Sequence, residues 1–442
     1  MLILVENKIN IVIIVTVLKL AKYLITYDGV FTMNVLLLGN GFDLYQNLPT
    51  KYADFLYTVD YLRKNYNDDL KYVGDIFSNI ELQNNDNNIE KCYVANQEEF
   101  NKALLNDKKV REIIELIKDN KWFSYFFNSL NDDISWIDFE KEINTVLQAF
   151  RELLSAENHR FNIADLFSNM GCNYIIRFFD FIEYWGQDCF DKIEYHTVNN
   201  KYVLEYPLHS EHYIINKDKI VAELLNDLSD LAKALDLYLQ CFVESVSDIL
   251  ADNRNVDKED IFNNFHAAVI FNYTNTFEKL YSCNQCFHIH GNINGDIVLG
   301  TNPDKSDELE TIDTLFLQFK KYFQRTMFET DSEYLNFISD IKMDKTQLNL
   351  VVMGHSLDIT DNDIITELFD CAVKITVLYH DDKAKISYIK NLINIFGKTG
   401  FDELRRNKKL TFKSLNNDLS VLNYELKSNE YSPYEKFITK FI

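Results

Sequence analysis

The chain has 442 residues, 47% of them hydrophobic and 14% aromatic, a composition that excludes disordered, collagenous and purely coiled-coil proteins. Its length favours two packed units, or one domain with a large insertion. With 45 basic and 68 acidic residues, the net charge is −23, which disfavours binding to nucleic acids and to anionic lipid surfaces. The seven cysteines, an odd number, predict reduced thiols and a cytoplasmic protein.

The first 32 residues contain one apolar run, 9–18, which is about half as long as a bilayer-spanning helix. A signal peptide needs a basic start and a small-residue cleavage site, and this segment has neither. We interpret residues 1–32 as an upstream extension or a wrongly assigned start. A membrane tether is the alternative interpretation.

The pattern of apolar residues divides the rest of the chain. A strand pattern at 35–38 precedes a glycine turn and a helical pattern from about Thr50, and residues 57–264 show almost only helical periodicity. From residue 267 onwards, strand patterns alternate with helices, which predicts a parallel sheet that is covered on both faces. The predicted strands are 267–271, 286–289, 297–299, 348–353, 373–379 and 410–412.

These patterns predict the α/β class, with a doubly wound, mainly parallel sheet of Rossmann type and a large helical insertion. We expect residues 33–56 and 265–442 to form the nucleotide-binding α/β domain, and residues 57–264 to form the insertion.

Glycine is scarce in this chain, with 12 residues, and half of these follow predicted strands. Glycine at such positions allows a positive φ or a close approach of the backbone to a ligand. Because the carboxyl ends of parallel strands share one edge, we expect these turns to form one crevice. The residues concerned are Gly39, Gly41, Gly291, Gly295, Gly300 and Gly354.

The turn Gly39-Asn40-Gly41 lies between a strand and a helix, where backbone N–H groups can bind a phosphate. Such a neutral cradle binds an anion without a basic cluster, which suits an acidic chain. We expect a side chain at Gly41 to block the ligand and to leave the fold intact. The alternative is that both glycines only form a turn.

Asn272 and His290 each follow a predicted strand. Asn272 has a side-chain amide that can orient ribose or a water molecule, although asparagine in this position is also a common turn former. His290 can act as a general base near pH 7. The alternative for His290 is a core histidine that is bonded to a backbone carbonyl.

The spacing of Cys283, Cys286, His288 and His290 is compatible with a zinc site. We expect no metal, because His290 is better placed for the crevice, and two buried thiols near a turn are the simpler interpretation. Whether Cys283, Cys286 and His288 bind a metal stays open at this point.

Four acidic residues lie where two helices are predicted to begin. Asp138 and Glu140 could line a site, but a favourable interaction with the helix dipole explains them equally well. Asp361 and Asp363 fit the capping of the helix that follows the loop 354–358.

Five motifs occur in one order along the chain: 38–44 with 48–50, 136–140, 271–276, 288–291 and 354–358. In these motifs, from Met33 to roughly Tyr379, the chain resembles the bacterial AbiH family. The resemblance implies a role in abortive infection, in which an infected bacterium halts or dies before phage can spread.

A more distant similarity is to the sirtuin-like domains of antiphage NAD hydrolases. It departs from their pattern at Asp43, Thr274 and His355, where those domains carry serine, aspartate and tyrosine. The matching positions are Gly39, Gly41, Pro49, Asn272, Tyr273, His290, Gly291, Gly354 and Ser356.

The similarity implies a sirtuin-like fold and the hydrolysis of NAD to nicotinamide and ADP-ribose. Asn272 and His290 would then be catalytic, and Gly39 to Gly41 would hold the pyrophosphate. The remaining nucleotide-binding residues would be Asn40, Asp43, Tyr273, Gly291, Gly354, Ser356 and Asp358.

The alternative function is a non-catalytic sensor that binds a nucleotide or a phage protein through the insertion and signals by changing shape. In either case we expect a nucleotide ligand and a phage protein as trigger, without nucleic acid or membrane as partners. The oligomeric state stays open.

Overall fold

A computed structural model describes most of the chain from Thr32 to Leu426. The interpretation of residues 1–32 as an upstream extension lies outside the described residues, except for Thr32. The same holds for residues 136 and 137 of one motif. The described residues are 32–67, 69–84, 87–130, 138–154, 160–162, 170–187, 194–205, 212–252, 261–281, 283, 285–301, 314–415, 418, 422–423 and 426.

The strands fall into one large sheet and two small ones. They are β1 Thr32–Leu38, β2 Arg160–Asn162, β3 Ile182–Gln187, β4 Glu194–Val198, β5 Val203–Glu205, β6 His212–Ile215, β7 Ala267–Ile270, β8 Cys286–His288, β9 Gln347–Met353, β10 Ala372–Tyr379 and β11 Leu410–Ser414.

The large sheet has the order β11-β10-β9-β1-β7-β8, and all its strands are parallel. Counted along the chain, this is the order 3-2-1-4-5-6 of a doubly wound, Rossmann-like sheet. The predicted α/β class with a parallel sheet is therefore confirmed.

The register brings four strand ends to one level. Leu38 of β1 lies beside Ile270 of β7 and Met353 of β9, and Ile270 lies beside His288 of β8. The segments that follow these four strands therefore emerge next to one another at one edge of the sheet.

Both faces of the sheet are buried, as its continuous apolar runs require. In β1, Val35 and Leu37 pack in one core with helices of the C-terminal half, and Leu36 and Leu38 pack in a second core with Phe42 on the opposite face.

The helices cover the sheet and build most of the insertion. A π-helical segment, Leu239–Glu244, joins two of them. The helices are α1 Gly41–Tyr45, α2 Tyr52–Asn65, α3 Val73–Asn84, α4 Asn87–Ala95, α5 Gln97–Lys102, α6 Asp107–Ile117, α7 Lys121–Ser129, α8 Phe139–Leu154, α9 Met170–Phe178, α10 Lys217–Tyr238, α11 Ser245–Asp252, α12 Thr276–Leu280, α13 Lys321–Phe328, α14 Ser332–Asp344, α15 Asn362–Cys371 and α16 Asp382–Arg406.

The helices of the insertion pack around a large core that is rich in aromatic side chains such as Trp122 and Tyr238. Residues after β8, such as Ile297 and Phe316, also belong to this core. Helix α2 runs across the expected boundary at residue 56, and its side chains pack in this core. No helix among the described residues combines the length and apolarity that a bilayer crossing needs.

Two expectations for local structure are corrected. The insertion contains β2 to β6 in two small antiparallel sheets, whose strands of three to six residues are too short to interrupt a helical pattern clearly.

Residues 297–299 are buried but form no strand. The Val298 N–H donates to the His290 carbonyl and the Val298 carbonyl accepts from the Tyr273 hydroxyl, so these groups bond outside any sheet.

Candidate active site

The ends of β1 and β9 lie side by side where the strand order of the sheet reverses. There the Gly41 N–H donates to the Gly354 carbonyl at 2.8 Å, and the Gly39 N–H donates to the Met353 carbonyl at 3.1 Å. Open α/β sheets bind ligands in the crevice beside such a point. Two of the predicted glycine turns therefore meet at the position that favours a ligand site.

The glycines of the first turn permit this close contact between two loops. A Cβ atom on Gly39 would stand 2.4 Å from His355 Cα, and one on Gly41 would stand 2.6 Å from Gly354 Cα. Backbone atoms must shift to relieve such distances, so the expectation that a side chain at Gly41 leaves the fold intact is wrong. The N–H groups of both glycines are bonded within the protein, which differs from a free phosphate cradle.

A cavity of about 570 Å³ lies at this edge, in the size range of small-molecule sites. Its wall combines the segments after β1, β7, β8 and β9 with residues of the insertion, and among its described residues there is no lysine or arginine. The polar and titratable residues of the wall include Asn40, Asp43, Thr50, Tyr52, Glu140, Asn272, Tyr273, Thr274, His290, His355, Ser356, Asp361 and His380.

His290 and Asp361 form a buried pair in this wall. His290 Nε2 lies 3.1 Å from Asp361 Oδ1, and each side chain is less than a tenth exposed. Burial lowers the pKa of His290 to about 4, and the Lys321 ammonium acts in the same direction. His290 is therefore neutral near pH 7. Because a carboxylate only accepts hydrogen bonds, the imidazole proton lies on Nε2 and the lone pair on Nδ1.

His355 approaches the second oxygen of the same carboxylate. Its Nε2 lies 3.5 Å from Asp361 Oδ2, and its Nδ1 accepts a hydrogen bond from the Leu357 N–H at 3.0 Å. The backbone donor fixes the His355 tautomer with its proton on Nε2. Two imidazoles thus direct N–H groups towards one carboxylate.

Lys321 lies behind the wall, with 1% of its side chain exposed, and joins two carboxylates. Its Nζ is 2.6 Å from Glu140 Oε1 and 2.9 Å from Asp361 Oδ1. Burial opposes the charge on Lys321, but Asp361 and Glu140 outweigh it and raise the lysine pKa above its usual value. This ammonium supplies the positive charge next to the His290–Asp361 pair.

The two carboxylates bound to Lys321 respond differently to burial. Burial opposes the ionised form of Asp361, but Lys321 and His290 outweigh it and hold its pKa well below the usual range. Burial raises the pKa of Glu140 to about 7 against the attraction of Lys321. Near neutral pH, Asp361 is therefore ionised, whereas Glu140 is near the midpoint of its titration.

Asp43 and Asn272 are buried in the wall beside the glycine turn. Burial raises the pKa of Asp43 to about 7, although a hydrogen bond from Thr274 favours its ionised form. Asp43 Oδ1 and Asn272 Oδ1 have no hydrogen-bond partner among the described residues. Two buried acceptor oxygens therefore lie in residues of the cavity wall, whose described part has no lysine or arginine.

A family model described as bacteriophage abortive infection AbiH matches residues 35–380. The chain belongs to the AbiH family. No curated protein and no solved structure matches it. The match covers well over half of the chain, including the ends of β1, β7, β8 and β9, most of the cavity wall and the insertion. The resemblance to AbiH in the five motifs is therefore confirmed.

Most of the site residues that the sequence predicts for this AbiH protein line the cavity. Gly291 and Asp358 do not. Gly291 has a φ of +79°, and a Cβ there would collide with the Asp296 carbonyl, so it serves a tight turn. Asp358 accepts a hydrogen bond from the Thr360 N–H at 3.1 Å and caps the short helix Ile359–Asp361. The residues in the wall are Gly39, Asn40, Gly41, Asp43, Asn272, Tyr273, His290, Gly354 and Ser356.

Three charged residues, Asp361, Glu140 and Lys321, surround the contact with His290. From the sequence, the first two were explained by their positions at helix starts, and Lys321 was not identified. Asp361 occupies the N-cap position of α15 but makes no side-chain cap bond, and Glu140 lies in the first turn of α8 but pairs with Lys321. Lys321 begins α13, and no local pattern distinguishes it from a surface lysine. Only the fold brings the three together.

The possible zinc ligands have other contacts in this AbiH protein. The two ring nitrogens of His288 contact the Glu278 carboxylate and the Asn272 carbonyl, and the Cys283 thiol donates to the Gln285 carbonyl at 3.3 Å. Within the described ranges, no group of three or more His, Cys, Asp or Glu side chains has metal-binding geometry. That the protein carries no zinc stays a prediction for metal analysis.

Proposed function

We propose that this AbiH protein hydrolyses NAD to nicotinamide and ADP-ribose as the effector step of abortive infection. The observation that carries the proposal is the buried His290–Asp361 pair, which shares the wall of the cavity with Asn272. Membership in the AbiH family supports the antiphage setting. The similarity of the motifs to sirtuin-like NAD hydrolases supports the reaction.

The charges of the wall fit a ligand with a positive reacting end. Asp43, Glu140 and Asp361 line the cavity, and its described wall has no lysine or arginine. Such a wall suits the nicotinamide ring of NAD, which is positively charged. Buried carboxylates also stabilise the positive charge that spreads onto the ribose as the bond to nicotinamide breaks.

The reaction needs one base. The oxygen of water attacks C1′ of the ribose while the C1′–N bond breaks, and the electron pair of that bond neutralises the nicotinamide ring. The water proton passes to His290 Nδ1, and Asp361 stabilises the imidazolium that forms. Because nicotinamide departs neutral, no acid is required and a weakly basic imidazole is sufficient.

In this proposal, Asn272 orients the attacking water molecule or a ribose hydroxyl. Its amide carries two donor hydrogens and one acceptor oxygen, which can hold the water molecule or a ribose hydroxyl. The side chain is only 5% exposed, so the loop after β7 restricts its movement. A restricted amide lowers the entropic cost of placing the water for attack.

The test uses the full chain, purified from phage-infected and from uninfected cells and incubated with NAD. Chromatography should detect nicotinamide and ADP-ribose in equal amounts. His290→Ala and Asn272→Ala should each reduce the rate by at least about 100-fold, whereas His288→Ala, two residues away and outside the wall, should retain it in proportion to folded protein. NAD binding without any release of nicotinamide would reject hydrolysis and favour the sensor.

A further inference from the structure

The buried charges next to His290 come from both parts of the chain. Lys321 of α13 and Asp361 lie in the α/β domain, whereas Glu140 belongs to α8 of the insertion. Lys321 Nζ contacts both carboxylates, and Asp361 Oδ1 also lies 3.1 Å from His290 Nε2. One continuous chain of polar contacts therefore leads from the insertion to the proposed base.

We propose that Glu140 and Lys321 are positioning residues for His290, and that the insertion completes the active site through the contacts Glu140–Lys321–Asp361–His290. Lys321 balances the Asp361 carboxylate, so that His290 remains neutral with its proton on Nε2. The catalytic consequence rests on the proposed function, but the effect on the charge of His290 does not.

The charges around Asp361 must balance because the site is buried. An ionised carboxylate without a cation is strongly unfavourable in a protein interior. Without the Lys321 ammonium, the nearest group that could neutralise Asp361 is His290, by binding a proton on Nδ1. Removal of the lysine charge should therefore raise the proton affinity of His290, so that a larger share of the imidazole is protonated and unable to act as a base.

Glu140 should have the opposite effect. Its carboxylate shares the Lys321 ammonium with Asp361. When Glu140 becomes neutral, the ammonium acts on Asp361 and His290 alone, which disfavours a proton on the imidazole. The Lys321 variant should thus raise the His290 pKa, whereas the Glu140 variant should not, a difference that loss of packing would not produce.

Further charged or titratable groups on neighbouring elements face the contacts Glu140–Lys321–Asp361–His290. Substitution of Lys321 or Glu140 leaves these groups unchanged. Arg325 of α13 has its own partners, Asp363 and Asp331. His355 approaches the second oxygen of Asp361. The remaining groups are Asp138 before α8, Tyr52 of α2 and Tyr273 after β7.

The experiment is a histidine NMR titration of the full chain with isotope-labelled histidine, in which His290→Ala assigns the signal. In the wild type, His290 should stay neutral down to about pH 5. Lys321→Met should raise its pKa by at least about one unit, a tenfold gain in proton affinity, and Glu140→Gln should leave it unchanged or lower. A His290 titration that is the same in folded Lys321→Met and in the wild type would overturn the proposal.

Two controls keep the test decisive. Lys342→Met removes a more exposed ion pair of the same length, 2.6 Å, between α14 and α15, and should not shift the His290 titration. Lys321→Arg keeps the charge, so it should keep His290 neutral even if Lys321→Met fails to fold. A Lys321→Arg protein in which His290 titrates above pH 6 would contradict the proposal.

The pH dependence of nicotinamide release shows whether the change in the His290 pKa affects catalysis. In Lys321→Met the acidic limb of the pH–rate profile should move upwards by the same amount as the His290 pKa, whereas in Glu140→Gln it should not. If no NAD is hydrolysed while the NMR shifts occur, the proposed function fails and the charge coupling stands. An acidic limb that stays in place despite the NMR shift would remove the positioning role.

Discussion

The Thr274 hydroxyl donates a hydrogen bond to Asp43 Oδ2 at 2.7 Å, which joins the loop after β7 to the turn after β1. Both side chains are buried in the wall of the cavity. They also occupy two of the positions where the chain departs from the sirtuin-like pattern, so these departures form one contact. The contact holds a carboxyl group whose pKa is raised by burial to about 7, from an ordinary value of 3.8.

This raised pKa predicts how Asp43 affects stability. Folded Asp43 keeps a proton that the unfolded chain releases, so the free energy of unfolding falls as pH rises from about 4 to 7. Asp43→Asn removes this penalty, and its stability relative to the wild type should increase through that window by at most about 4 kcal/mol. Urea unfolding at several pH values measures the difference. Parallel pH dependences of the two proteins would exclude a raised pKa.

Gly41→Ala should destabilise the fold, because its methyl group would meet the backbone of Gly354 at 2.6 Å. We expect a loss of about 1 to 3 kcal/mol, as for other overpacked sites. Gly295→Ala is the matched control, since its Cβ would stand 3.2 Å from the Asn292 side chain. Thermal unfolding of both variants provides the comparison, and equal melting temperatures would contradict the tight pairing of the two loops.

Protein that is purified without added zinc should contain well under one zinc ion per chain. The reason is that both ring nitrogens of His288 already contact Glu278 and the Asn272 carbonyl. Elemental analysis of the wild type and of Cys286→Ser tests this expectation. Stoichiometric zinc that disappears in Cys286→Ser would establish a metal site at these cysteines.

The parts of the fold that local pattern determines were predictable from the sequence. The apolar run at 348–353 predicts β9, which begins one residue earlier, at Gln347. Asn272 and His290 could be placed at strand ends because parallel strands share a carboxyl edge. By contrast, the apolar residues 297–299 resemble a strand only because they are buried.

The contacts that give the cavity its chemistry depend on the fold as a whole. His290 and Asp361 are 71 residues apart, and Asp361 lies at a helix start, where capping is the ordinary explanation of an acidic residue. The helix dipole likewise explains Glu140. Neither local rule contains information about Lys321, which pairs with both only because α8 and α13 meet at the cavity.

The most direct test of the central claim is the NAD content of cells during phage infection. Cultures that express the wild type, His290→Ala or His288→Ala at equal abundance are sampled before lysis, and NAD and ADP-ribose are quantified by mass spectrometry. We predict that NAD falls at least tenfold in wild-type and His288→Ala cells, with a matching rise in ADP-ribose, and stays constant in His290→Ala cells, which lose protection. Wild-type cells that resist the phage while their NAD stays constant would contradict the account.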